Sequence, residues 1–288
     1  MILTSKAELA GRVKLQISGG ERGTIDYPWQ DNMILDQGFV QLIVNTQFTA
    51  PTALMSFGVG SSSQPVQPTD TGLITPIAFT TANATGVTHG WDAVGGFGWT
   101  RKTQSFARGA AAGNISELTT NHAANNTSAM ARALVRDAQG NPTTITVLSD
   151  ETLTITWEWR KWWTVQQPHE IEYLVDGVPR TTTVSYKQDL GTGSHTLGNG
   201  GIAAMNSQLI SSSGGVFVGE FKTTFTEEQG NPQVVSCTSI GDNQSGGLTY
   251  PSAFPYDTAY ATFTPPIAKT NEFRLEIYHR IQLTRRAP

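Results

Sequence analysis

The strongest constraint on the fold is a strand that alternates residue by residue just before position 160. Its apolar face holds Leu153, Ile155, Trp157 and Trp159, and its polar face holds Thr152, Thr154, Thr156 and Glu158. A period of two is typical of a β-strand with one buried and one solvated face. Upstream, the turn formers at 139–142 follow one apolar run and precede the β-branched run 143–148. The stretch 113–161 therefore predicts a β-meander with Glu158 on the solvent face.

Composition favours an all-β protein. Charged residues make up 15% of the chain, against about 25% in an average soluble protein. The 29 glycines and 14 prolines are scattered without a period, as expected for many short strands joined by turns. We expect a mainly antiparallel β-sandwich or jelly-roll-like fold with long loops. The 288 residues suffice for one large domain or two of ordinary size.

Local patterns suggest how the chain is divided. Val13, Leu15 and Ile17 predict a short first strand, and helical spacing of apolar residues after Asp31 and Asn32, which could cap it, predicts a short helix near 33–45. Residues 1–187 form a predicted N-terminal β-rich domain. A glycine-rich connector follows at 188–215, and then a C-terminal β region at 216–288. Whether that region completes the same sandwich stays open.

The amino-acid sequences of several segments show a family resemblance. The segments, in chain order, are NMILDQGFVQLIV (32–44), SFGVGSSSQPVQPTDTGL (56–73), ISEL (115–118), RALVRD (132–137), GNPTTITV (140–147), DETLTITWEW (150–159) and the terminal TFTPPIAKTNEFRLEIYHRIQLTR (262–285). Their order resembles that of structural proteins of tailed-bacteriophage virions. The resemblance implies a self-assembling homo-oligomer of the tail, baseplate or fibre. It would dock onto neighbouring virion proteins, and be located in the virion after assembly in the host cytoplasm.

Two other roles remain open beside this one. The first is a receptor- or carbohydrate-binding module at the tail tip, with a host surface glycan as its partner; the second is a head decoration or collar protein. Tryptophans are enriched at interfaces and are suited to stacking. The candidate interface or glycan contacts are Trp91, Trp99, Trp162 and Trp163.

Catalytic patterns are missing from the sequence. The five histidines form no zinc-protease or paired-ligand motif, and His169 and Glu172 in a strand would face opposite sides. A β-sandwich hydrolase was the remaining alternative, because glycoside hydrolysis needs two facing carboxylates. No spacing singles out a pair among Glu117, Glu158, Glu220 and Asp242. We therefore predict no enzyme activity, and no catalytic, cofactor or metal site.

Charge and hydropathy limit the classes of partner that we expect. The formal net charge is −4 and the isoelectric point about 5.7, with no basic stripe, so nucleic acid is not an expected partner. No window reaches the ~18 apolar residues of a membrane span, so no membrane insertion is expected. The N-terminus lacks the apolar core of a secretory signal. The single Cys237 rules out a disulfide within the chain.

Overall fold

A computed structural model of the chain describes residues 2–44, 54–164, 167–175, 177–189, 204–225, 234–237, 258–265, 267 and 275–286. Within these ranges the protein is almost entirely β-structure, with one short helix. The elements are β1 (Ile2–Gly19), β2 (Ile25–Asp26), β3 (Gln30–Ile34), α1 (Asp36–Val44), β4 (Ser56–Gly60), β5 (Pro76–Thr80), β6 (Asn83–Asp92), β7 (Phe97–Ser105), β8 (Gly113–Ile115), β9 (Glu117–Asn121), β10 (Ala129–Leu134), β11 (Ile145–Val147), β12 (Glu151–Thr164), β13 (His169–Val175), β14 (Val178–Asp189), β15 (Ala204–Ser213), β16 (Val216–Phe225), β17 (Val234–Cys237), β18 (Thr258–Thr264) and β19 (Leu275–Arg285).

The first strand organises the largest sheet. β1 is 18 residues long, not the short strand that the sequence predicts. Along one edge, Lys6 to Gly19 pair antiparallel with β12. Along the other edge, β1 pairs in turn with β19, which is parallel to it, and with β3 and β2, which are antiparallel. The prediction missed the start of β1 because Ala7 and Gly11 are small and weaken the apolar alternation that is clear from Val13 to Ile17.

The 13-stranded sheet bends around a buried core. One arm runs from β1 through β12 and β7 to β6, and the other from β3 through β10, β9 and β4 to β5. The arms face each other, since Phe57 on β4 lies 5.9 Å from Trp157 on β12 between ring centroids. Leu153, Ile155, Trp157 and Trp159 are all buried, as the alternation predicts. The described pairings are antiparallel except that of β1 with β19, which confirms a mainly antiparallel all-β fold with a sandwich-like core.

The predicted meander at 113–161 is wrong. β9 and β10 do form an antiparallel pair, but β11 pairs with β8 in a separate two-stranded sheet, and β12 joins β1 and β7. The glycine-, alanine- and asparagine-rich sequence after Phe106 predicts a long loop up to Ala129, but this stretch contains β8 and β9. Periodicity identifies strands without naming their partners, because pairing depends on residues far away in the chain.

The short N-terminal helix is confirmed, although it begins later than predicted. α1 starts at Asp36, whereas Asp31 and Asn32, the expected caps, lie within β3. Phe39 of α1 stacks on Phe217 of β16 with 4.7 Å between ring centroids. A Cβ on Gly38 would lie 2.4 Å from the Met130 carbonyl oxygen, so glycine lets the helix approach β10 closely.

The region predicted as a glycine-rich connector is partly sheet. β14 extends to Asp189 and β15 occupies Ala204–Ser213, so the 188–215 boundary is too wide; residues 190–203 lie outside the described residues. β15 pairs with β16, and a bulge lies at Ile210 of β15, across from Gly219 of β16. Through β16 and β19, the C-terminal region shares a sheet with β1.

A second, four-stranded sheet has the order β13-β14-β18-β17. Its first two strands form the hairpin that the Asp-Gly pair at 176–177 predicts. Val175 pairs with Val178, and Gly177 has φ +75°.

Candidate functional site

Long basic side chains and aromatic rings line the side of the β1–β12–β7 sheet that faces away from the core. In strand register, Arg12 lies opposite Glu158, and Glu158 lies opposite Arg101. Paired residues in an antiparallel sheet point to the same side. We call this surface the arginine–tryptophan face. It comprises Arg12, Lys14, Trp29, Phe97, Trp99, Arg101, Glu158, Arg160, Trp162 and Arg286.

A single carboxylate holds the centre of the face together. Glu158 accepts hydrogen bonds from the Nε atoms of Arg12 at 2.7 Å, Arg160 at 2.8 Å and Arg101 at 2.9 Å. The terminal amino group of Arg101 bonds to it as well. Glu158 is only 1% exposed, so its predicted place on a solvent face is wrong. The strand phase is as expected, but three arginine side chains cover the carboxylate.

The same contacts set the charge state of Glu158. Burial raises the pKa of the carboxyl group, because a charge loses its hydration in the protein. Hydrogen bonds from Arg12, Arg160 and Arg101 outweigh burial and hold the pKa below its usual range. The carboxylate is therefore ionised at neutral pH, and three guanidinium groups are fixed by one negative charge.

Indole rings support the arginines from the side. The Arg12 guanidinium lies 4.2 Å from the Trp29 ring centroid, and that of Arg101 lies 5.3 Å from Trp29 and 4.7 Å from Trp99. Contacts of this kind are attractive cation–π interactions. Trp99 itself lies across Gly90 of β6, where an added Cβ would be 2.4 Å from the indole. The guanidinium planes are thus held both by a carboxylate and by aromatic rings.

The aromatic surface continues to the end of β12. Phe97 and Trp162 pack with 4.8 Å between centroids, and the Trp162 Nε1 donates a hydrogen bond to the Gly95 carbonyl at 2.9 Å. Arg160 lies over Phe97 at 4.8 Å, and Arg286 lies over Trp162 at 4.3 Å. Cations and rings therefore alternate along the whole face.

The four tryptophans predicted as contacts divide between two sides of the sheet. Trp99 and Trp162 lie on the arginine–tryptophan face. Trp91 pairs with Gly98, which pairs with the core-facing Lys161, and the Lys161 Nζ lies 4.6 Å from the Trp163 ring. Trp91 and Trp163 therefore share the opposite side. Sequence reasoning did not select Trp29 and the three arginines, although Arg12 and Arg101 occupy the polar phase of β1 and β7.

The carboxylates considered for hydrolysis do not face one another. Glu117 is buried and bonds to Arg132, whose Nε lies 2.9 Å away, and Glu220 bonds to Arg280, also at 2.9 Å. Asp242 lies outside the described residues. β13 contains both His169 and Glu172, so alternation places them on opposite faces. Among the described residues no group of three or more histidine, cysteine, aspartate or glutamate side chains could hold a metal ion.

A second surface feature is the hairpin formed by β13 and β14. Residues 167–170 and 177–181 are exposed, and within the hairpin Ile171 and Tyr173 are half-buried. At its tip, Leu174 is 70% exposed and Val178 50%. Leu174 pairs with Pro179, whereas Val178 pairs with Val175, the next residue along β13. Because successive positions along a strand alternate between its two sides, the side chains of Leu174 and Val178 point to opposite sides of the hairpin. Among the described strands, β13 is also at the edge of its sheet.

No family model, no curated protein and no solved structure matches this chain. Within the part of the chain that the structure describes, no helix is long and apolar enough to cross a membrane.

Proposed function

We propose that this chain is a structural component of a tailed-bacteriophage virion, in the tail, baseplate or fibre. It assembles with copies of itself and with neighbouring virion proteins, in the host cytoplasm, and its role is binding and not catalysis. The resemblance of its segments to virion proteins suggests the setting. The observation that carries self-association is the β13–β14 hairpin.

The hairpin has the properties of a surface that binds another molecule. Leu174 and Val178 expose apolar side chains on both of its sides. In the described four-stranded sheet β13 lies at an edge, and an edge strand can extend a sheet in another molecule. A second copy packed on the tip would bury these side chains, and closed symmetry is the usual result of such contacts.

The first test is the absolute mass of the purified chain by light scattering over a concentration series. We expect a discrete oligomer. A trimer would favour a fibre or spike, and a hexamer or larger ring would favour a collar, tail or baseplate layer. A monomer at every concentration would contradict self-association.

Paired variants then test whether the hairpin makes the contact. Leu174→Asp combined with Val178→Asp should shift the mass to that of a monomer, because each change puts a charged side chain where the contact would bury an apolar one. Leu148→Asp is the matched control, since Leu148 is also exposed, at 41%, but lies in the turn before β12. An oligomer that survives the double change would place the interface elsewhere.

A further inference from the structure

We infer that the arginine–tryptophan face binds an acidic oligosaccharide whose sugars carry carboxylate groups. The ligand would lie across β7, β12 and β1, with its carboxylates on the arginines and its rings on the indoles. This inference does not depend on self-association.

Charge gives the first argument. The whole chain has a net charge of −4, yet this surface gathers Arg12, Arg101 and Arg160 around one carboxylate and places Lys14 5.5 Å from the Trp29 ring. On the same side, Asp31 of β3 pairs with Arg12, so these four cations face two carboxylates, those of Glu158 and Asp31, and the cluster keeps a surplus of positive charge. Arg286 adds little to it, because Arg286 pairs with Glu8 at 2.8 Å. A local positive surface on an acidic protein favours an anionic ligand and speeds its encounter.

The geometry of the guanidinium groups gives the second argument. Arg12 and Arg160 bond to Glu158 through Nε, and no other hydrogen bond of theirs occurs among the described residues. With respect to the described residues, their terminal amino groups can therefore bond to an outside acceptor, and their side chains are 27% and 22% exposed. A guanidinium group can bind a carboxylate with two parallel hydrogen bonds. Because Glu158 and Trp29 already fix these arginines, binding would cost little side-chain entropy.

The rings identify the remainder of the ligand. Trp99 and Trp162 are partly exposed beside these arginines, and an indole offers an apolar surface with a polar edge. Trp99 and Arg101 are two residues apart on β7, and such neighbours on one side of a strand are about 6.8 Å apart. An acidic oligosaccharide presents both a ring for stacking and a carboxylate at short intervals. Single-stranded nucleic acid also stacks on aromatic rings, but it needs a positive groove that follows its backbone, and this face offers a compact cluster instead.

Titration calorimetry with three probes tests the inference. The probes are a hyaluronan decasaccharide, the same oligosaccharide with its carboxyl groups reduced to alcohols, and an oligothymidylate. We expect hyaluronan to bind, carboxyl reduction to abolish binding, and added salt to weaken it. Equal binding of both sugars, no binding of hyaluronan, or tighter binding of the oligothymidylate would each overturn the inference.

Substitutions locate the site. Arg160→Lys keeps the charge but removes the planar fork, and Trp99→Ala removes a stacking surface; each should weaken hyaluronan binding by about tenfold. Arg280→Lys is the control, because Arg280 forms a comparable pair with Glu220 on other strands. Equal loss in the control would show that the effect is not local to the face.

Glu158→Gln separates a binding surface from a merely structural cluster. Removing the internal negative charge leaves three arginines for the ligand. Trp29 still holds Arg12 and Arg101, so the gain in charge should exceed the loss of the fixing by Glu158, and hyaluronan should bind more tightly. Glu220→Gln should leave its affinity unchanged. Circular dichroism must show that both variants are folded. If folded Glu158→Gln binds no more tightly, the arginines are not available to the ligand and the inference fails; if it does not fold, the Arg160→Lys and Trp99→Ala measurements decide. Repeating the titration with the Leu174→Asp, Val178→Asp protein keeps this result separate from the fate of the oligomer.

Discussion

At the scale of single residues, Glu158 shows how a polar position in a strand can be buried. The alternation of β12 places Glu158 correctly on the side away from Trp157 and Trp159, but alternation alone does not show what covers that side. Arg12 and Arg101 come from strands 146 and 57 residues away in the chain. Three cations satisfy the buried charge, and a buried carboxylate left without them would be strongly destabilising.

The depressed pKa of Glu158 predicts an acid-dependent loss of stability. Unfolded Glu158 would take up a proton near pH 4.3, and the folded carboxyl resists protonation to lower pH. Its stabilising contribution is therefore present above the unfolded pKa and disappears as pH falls through the folded pKa. Urea titrations should show Glu158→Gln about 3 kcal/mol less stable than wild type at pH 7, with a smaller difference at pH 3. Glu8→Gln, which removes an exposed pair, should cost less than about 1 kcal/mol. A pH-independent effect of Glu158→Gln would contradict this account.

Lys102 predicts a pH dependence of the same sense at more alkaline pH. Its side chain lies in the core opposite Trp157, and its Nζ donates to the Leu54 carbonyl at 2.6 Å. Burial lowers the pKa of Lys102. Between that pKa and about 10.4 the unfolded chain binds more protons at this lysine, so this residue makes the fold more stable as pH rises.

Comparison with Lys102→Met isolates this contribution. The rise in stability of wild type over the variant should grow from pH 7 to pH 10 in urea titrations. Tyr27, whose pKa is raised by burial, titrates in both proteins and cancels in the difference. Parallel pH profiles for the two proteins would show that Lys102 is protonated without cost in the fold.

At the scale of elements, one buried network fixes a long loop to the sheet. Glu117 of β9 accepts hydrogen bonds from the backbone amides of Ile74 and Thr75, and Arg132 of β10 bonds to Asp70 and to the Gln64 carbonyl. In the sequence, Pro65 and Pro68 indicate only that this segment is not helical. The network explains how a polar loop can have a defined path beside a buried ion pair.

Arg132→Met should release that loop. The substitution leaves Glu117 buried without its cation, which costs about 3–5 kcal/mol when one partner of a buried pair is removed. We expect faster proteolytic cleavage within residues 61–75, together with a lower urea midpoint. Arg136→Met is the control, because Arg136 is on the surface and bonds to the Gly140 carbonyl in a nearby turn. Unchanged cleavage in Arg132→Met would show that the loop is held by other contacts.

At the scale of elements the sequence was most informative where a pattern was local. The buried side of β12, the short helix and the Gly177 turn of the hairpin could all be predicted, because each depends on residues within about one element. The pairing and packing of these elements could not be predicted in the same way. No local sequence pattern indicates that β1 is 18 residues long, that β11 pairs with β8 and not with β12, or that Trp29 lies against Arg12. These features result from pairing and packing between distant segments.

At the scale of the whole molecule, β1 is the element on which the others depend. It pairs along nearly its full length with β12 and on its other edge with β19, β3 and β2. It thus joins the two arms of the sandwich to the C-terminal strands, and its removal would separate them. The tip of the β13–β14 hairpin is at the other extreme, because Leu174 and Val178 are exposed on its two sides.

Hydrogen exchange should reveal this contrast and connect it with assembly. Amides in the middle of β1 and β12 are expected to exchange only through global unfolding, and those at the hairpin tip through local opening. In the oligomer the tip amides should become protected, because packing against another copy suppresses local opening. In the Leu174→Asp, Val178→Asp protein they should stay fast while β1 stays slow. Fast exchange in the centre of β1 would contradict its central place in the fold. If the amides at the hairpin tip still exchange fast in the oligomer, the contact between copies lies on another edge strand, and β6 and β15 are the next to examine.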